Sequence, residues 1–172
     1  MRSIVYFFLL GAFAAVYACS SEAETPEQFV DRLIPILQEK NEDLLFETFV
    51  SKQELRDLLE LVVPPDLPAH QLDTRVEELW EAALEDKGNM MRRFLRAGVS
   101  DWNLATVDSI SKRQAPQTAY DGTPLKSEEL ELADITIHFT YQGEKKTMTI
   151  NCLQIHQGPW KMANYPEMEE AD

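Results

Sequence analysis

The chain has 172 residues, of which 30 are acidic and 16 basic, giving a formal net charge of −14 at pH 7. Such an excess of carboxylates repels nucleic acid and anionic membrane surfaces, so phosphate-backbone recognition is excluded. A hydrophobic content of 44% is more than a disordered chain carries, and a packed domain is expected.

The first element is Ile4–Val16, an apolar run of 13 residues behind a single positive charge at Arg2. A membrane-spanning helix needs about 20 such residues, so the run has the length of a signal-peptide core. Val16-Tyr17-Ala18-Cys19 resembles the end of a bacterial lipoprotein signal. That resemblance implies cleavage after Ala18 and a lipid anchor on Cys19. In such lipoproteins Ser20, after the cysteine, directs the chain to the outer membrane, facing the periplasm. An ordinary secretory cut at the same bond would leave Cys19 unlipidated in a soluble secreted or periplasmic protein.

Residues 1–18 are therefore read as signal, 19–24 as a polar tether, 25–165 as one domain and 166–172 as a solvated acidic tail. Removal of the signal leaves 154 residues, ordinary for one core. With Arg2 gone, 15 basic residues stand against 30 acidic ones, a charge of −15. Cys19 and Cys152 are the only cysteines. If Cys19 is acylated, Cys152 is an unpaired core residue; if it is free, the two could form a disulfide.

Three helix starts share one signature. Thr25-Pro26-Glu27-Gln28, Ser51-Lys52-Gln53-Glu54 and Thr74-Arg75-Val76-Glu77 each place Glu or Gln three residues after a hydroxyl, the spacing of a capping box. Apolar stripes follow at helical spacing: Phe29, Val30, Leu33, Ile34 and Leu37; Leu55, Leu58, Leu59 and Val62; Val76, Leu79, Trp80, Ala83 and Leu84. Pro35 is expected to bend or stop the first helix. Leu44–Val50 forms a short helix of its own, Pro64, Pro65 and Pro68 a stiff connector. Gly88 ends the third long helix, and a fourth, Met90–Ala97, closes at Gly98.

After Trp102 the period becomes alternating. Leu104–Arg113 is a weakly patterned strand and Gln114–Lys126 a loop. Ile135, Ile137, Phe139 and Tyr141 alternate with Thr136, His138 and Thr140, a half-buried strand. A turn at Gln142-Gly143 sets Ile137 opposite Met148 and Ile135 opposite Ile150. The apolar parity then shifts to Leu153 and Ile155, which a bulge near Cys152 would explain. A second turn at Gln157-Gly158 sets Leu153 opposite Met162 and Ile155 opposite Trp160. The fold expected is α+β: N-terminal helices packed on a curved antiparallel sheet that ends in a three-stranded meander.

Helices first, then a meander whose last turn reads Gly158-Pro159-Trp160-Lys161-Met162, resembles the nuclear-transport-factor-like cone superfamily over most of residues 26–164. That superfamily includes ketosteroid-isomerase-like enzymes and small secreted or lipid-anchored binding domains. The resemblance implies a cone whose sheet wraps the helices round an apolar pocket, with Phe139, Tyr141 and Trp160 as candidate lining. Extra helical sequence between about residues 64 and 98 departs from the simplest members and could fill or cap that pocket.

Candidate chemistry is sparse. His138 and His156 cannot share a metal, because His138 faces Thr147, nine residues and roughly 30 Å along the strand from His156. His70 has no visible partner. An acid–base site would need Asp108, Asp134 or a histidine on the pocket face, which offers apolar and aromatic residues instead. No catalytic residue, metal ligand or cofactor motif is assigned. Arg92, Arg93 and Arg96 form the one basic cluster, read first as a complement to a helix C-terminus. Trp80, Trp102 and Trp160 are read first as core.

The sequence thus favours a lipid-anchored envelope protein that binds a small apolar ligand or a partner protein without catalysis. Two alternatives stand beside it. One is a cone-fold enzyme with an acid–base Asp or His. The other is a structural or assembly lipoprotein whose Thr136-His138-Thr140 face pairs with another subunit, as in a homodimer.

Overall fold

The computed structural model describes residues 23–96, 99–115, 122, 129–163 and 167–170. Cys19, the signal, the tether up to residue 22, the helix end at Ala97 and Gly98, and most of the 114–126 loop lie outside the described residues.

Local capping chemistry builds the first helices. In α1 (Pro26–Glu39), Gln28 N–H donates to Thr25 Oγ1 at 3.3 Å and Thr25 N–H to Gln28 Oε1 at 2.8 Å. Pro35 does not stop it. Ile36 and Leu37, beyond the proline, are buried, and their burial outweighs a local cost of about 3 kcal/mol. Lys40, in the left-handed region at φ 53°, ends the helix. Asn41 caps α2 (Glu42–Glu47), and the Ser51–Glu54 box caps α3 (Lys52–Val62).

The third long helix differs from expectation at both ends. α4 is one helix, Ala69–Arg96, that begins just after Pro68 rather than at Thr74 and runs through Gly88. Thr74 Oγ1 donates back to the His70 carbonyl at 2.8 Å instead of capping. Leu72 and Val76 are buried before the glycine and Met90, Met91 and Phe94 after it. One internal glycine costs about 1 kcal/mol, less than those side chains gain by burial.

A short 3-10 turn, Trp102–Leu104, leads into the sheet. Its strands are β1 (Ala105–Ala115), β2 (Leu130–Tyr141), β3 (Glu144–Ile155), β4 (Lys161–Met162) and β5 (Glu167–Glu170). They are antiparallel in the order β1-β2-β3-β4, with β5 also on β3. The chain is therefore α+β, helices before strands, as the sequence implied. Gln142 and Gly143 sit at φ 53° and 86°, a type I′ turn, and Ile137 faces Met148 and Ile135 faces Ile150 as expected.

The expected bulge near Cys152 is absent. The β2–β3 ladder runs unbroken from Leu130–Ile155 to Tyr141–Glu144. The parity shift arises because Leu130 and Leu153 are buried on the face opposite Cys152, so both faces are covered at that end. The bulge lies in β1 instead, between Val107 and Ser109.

The second turn is centred on His156-Gln157, both at positive φ, one residue earlier than expected. Gly158 N–H bonds the Ile155 carbonyl at 2.9 Å, and Gln154 Nε2 bonds the Gly158 carbonyl at 2.7 Å. Met162 consequently pairs with Cys152 rather than Leu153, and Trp160 precedes β4 instead of facing Ile155. The acidic segment Glu167–Glu170, expected in solvent, pairs its backbone with Lys146–Thr149.

The core fills the space between the inner sheet face and the helices. Ile135, Ile137, Phe139, Met148 and Ile150 meet Phe29, Leu33, Leu37, Leu45 and Phe94 there.

Candidate functional site

Strand alternation sends one set of side chains outward, and they bond to one another. Thr140 Oγ1 donates to Asp108 Oδ2 at 2.8 Å; His138 Nδ1 lies 3.2 Å from Thr147 Oγ1; Thr136 and Thr149 hydroxyls are 3.1 Å apart. Farther along, Asp134 accepts from Arg113 Nη2 at 2.5 Å and from Asn151 Nδ2 at 2.6 Å. The Arg113 guanidinium, then the Asn151 amide, hold the Asp134 carboxyl below the usual aspartate range. The outer face is a polar surface braced in its own plane.

At one end of this face lies an open groove of about 290 Å³, lined by Asp108, Ser109, His138, Lys145, Lys146 and Thr147, with Phe139 behind them. The β1 bulge makes it. Asp108 is the residue without a partner in the β1–β2 ladder, which places it beside Ser109 and its partner His138. Two lysines, one aspartate, an imidazole and two hydroxyls suit polar recognition. The exposed positions of Asp108 and His138 lack the apolar enclosure that tunes an acid–base pair. Among the described residues no group of three or more His, Cys, Asp or Glu is placed to hold a metal ion.

The three aromatic residues assigned to an apolar pocket are core residues. Phe139 packs on Trp102 with ring centroids 5.1 Å apart, and the Tyr141 hydroxyl lies 2.9 Å from Ser100 Oγ. Trp160 lies near the Cys152–Leu153 rows, about six residues or roughly 20 Å along β2 from Phe139. Tyr141, the most exposed of the three, is 5% accessible. They do not converge on one opening.

His138 faces Thr147 and His156 sits in the far turn, so they stay apart. Arg92 bonds Asn89 and Arg93 bonds Asp86, both within α4; the Arg96 side chain lies outside what is described. Trp80 packs on Phe46, and the indole N–H of buried Trp102 has no partner among the described residues. Cys152 is buried, and that burial pushes its thiol far above the ordinary cysteine range, so it is inert as a nucleophile.

One polar cluster escaped the sequence reading. Glu24, assigned to the tether, accepts from Arg32 Nε and Nη2 at 3.1 Å each and from Trp160 N–H at 2.6 Å. Its carbonyl accepts from Trp160 Nε1 at 2.8 Å and Gln154 Nε2 at 3.1 Å. A tether thus ends at the sheet, before Glu24. Nothing in the sequence signals a contact spanning 136 positions.

No family model, curated protein or solved structure matches the chain significantly.

Proposed function

We propose that this is a lipoprotein anchored through Cys19 to the periplasmic face of the bacterial outer membrane, where it binds a partner protein without catalysis. One observation carries the choice of partner. Phe139, Tyr141 and Trp160, which an apolar small ligand would need as pocket lining, are committed to the core. An open groove on the sheet face, by contrast, presents lysine, aspartate, imidazole and hydroxyl groups. The order of elements, helices then antiparallel meander, supports the cone-like binding domains as the nearest analogy.

The test has two parts. Mass spectrometry of the chain from its native envelope should show acylated Cys19 at the mature N-terminus; an intact Met1 end overturns the anchor. A photo-reactive residue in place of Lys145 should cross-link one defined protein in intact cells, and failure to do so overturns partner binding.

A further inference from the structure

We infer that the fastening of Glu24 decides which end of the fold meets lipid: the β3–β4 turn, His156 to Pro159, lies against the bilayer, and the groove at Asp108 and Lys145 opens at the far end, toward the periplasm. This rests on the anchor reading above and names the lipid-facing surface.

Chain length sets the reach. Cys19 stands five residues before Glu24, and five residues span at most about 18 Å. From Glu24 onward the chain is held. Its carbonyl accepts from the Gln154 and Trp160 side chains, and its carboxylate from Arg32 and the Trp160 N–H. An acyl group on Cys19 therefore keeps Glu24 within about 18 Å of the headgroups. Glu24 is fastened at one end of the sheet, since Gln154 is the next-to-last residue of β3. Lys145 lies nine residues back along that strand, roughly 30 Å away. The tether is thus shorter than the sheet. It holds the turn at the surface and leaves the groove end unheld.

Charge sets the stance. The chain's excess of carboxylates repels anionic lipid, so lying flat along the bilayer is disfavoured. The turn is an exception to that excess. Residues 155–160 contain no carboxylate, and His156, Gln157 and Pro159 among them are exposed. Two carboxylates that flank the turn are already neutralised, Glu24 by Arg32 at 3.1 Å and Glu131 by Lys112 at 2.8 Å. Standing end-on brings this uncharged tip to the headgroups and limits the acidic area near them.

The test uses the full acylated chain in vesicles of phosphatidylethanolamine and phosphatidylglycerol. A photo-reactive residue replaces Pro159 in one sample and Lys145 in another, and lipid adducts are counted by mass spectrometry after illumination. Position 159 should take up several-fold more lipid than position 145. A long glycine–serine insert between Ala23 and Glu24 should erase that difference, with circular dichroism confirming the fold of each variant. Equal labelling in the chain without the insert, or more at 145, overturns the orientation. A difference that persists with the insert overturns tether length as its cause. An acylated chain with no lipid adduct at either position overturns the lipid contact alone. A chain whose intact mass carries no acyl group overturns the anchor reading and this contact with it.

Discussion

Trp160 is fastened to Glu24 twice over. Its backbone N–H meets the Glu24 carboxylate at 2.6 Å and its indole N–H meets the Glu24 carbonyl at 2.8 Å. Arg32, on α1, completes the clamp by donating twice to the same carboxylate and once to the Trp160 carbonyl at 3.0 Å. The start of the described chain, the first helix and the last turn of the sheet are thus joined at one point.

Loss of that carboxylate should be felt in stability. Glu24→Ala leaves the Trp160 N–H without its acceptor and the Arg32 guanidinium with only the Trp160 carbonyl, and hydrogen bonds to charged groups are worth about 2 kcal/mol. For a domain of this size that corresponds to a fall in Tm of roughly 4–8 °C. Glu24→Gln keeps an acceptor and should lose less than half as much. A thermal melt of Glu24→Ala matching the parent would show the clamp to be energetically idle.

Two buried tryptophans offer a controlled comparison. Trp102 and Trp160 are both almost fully buried, but among the described residues only the Trp160 indole N–H has a partner. An unpaired buried donor costs about 1–3 kcal/mol, so Trp102→Phe removes a penalty along with its packing. Trp160→Phe removes a bond and leaves a smaller ring, a weaker cation–π partner than the indole over which Lys112 Nζ sits at 5.4 Å. Trp160→Phe should therefore be the more destabilising by about 1–3 kcal/mol in urea unfolding followed by circular dichroism. Equal costs would mean that the Trp102 N–H has a partner.

These contrasts also mark what the sequence could carry. The Thr25–Gln28 and Ser51–Glu54 boxes and the Gln142-Gly143 turn are set by neighbours three residues apart or fewer, and all three formed as read. Thr74-Arg75-Val76-Glu77 has the same pattern but lies inside α4, because burial of Leu72 extends the helix upstream of it. The parity argument near Cys152 failed because it assumed one buried face where there are two. The groove was illegible because it depends on the Asp108 bulge, which only pairing with β2 reveals.

Acid should weaken the fold partly through Asp134. Its carboxyl is held below the ordinary value, first by Arg113 and then by Asn151. A depressed folded-state pKa contributes stability that is complete above the unfolded value, about 3.9, and is lost as pH falls through the lower folded value. Since Arg113 is solvent-exposed, the contribution is under about 1 kcal/mol. Asp43 and Asp101 are shifted the same way, by Lys87 and Asn103, so part of the acid limb belongs to them. Asp134→Asn should be slightly less stable than the parent at pH 6, and the gap should close as pH falls below the unfolded value of about 3.9. Parallel urea midpoints across that range would exclude Asp134 from the acid limb.

The same substitution should have opposite signs at two glycines. A Cβ added to Gly88 or to Gly143 meets no atom within 4 Å, so neither position is limited by space. Backbone conformation alone separates them. Gly88 lies inside α4, where alanine restricts the unfolded chain and favours the helix by about 0.5–1 kcal/mol. Gly143 holds φ at +86° in the β2–β3 turn, where an L side chain costs about 1–2 kcal/mol. Gly88→Ala should raise the Tm by a few degrees and Gly143→Ala should lower it by a similar amount. A gain at both positions would mean that the β2–β3 turn adopts a different geometry in solution. A loss at both would mean that α4 breaks at Gly88, as the sequence first suggested.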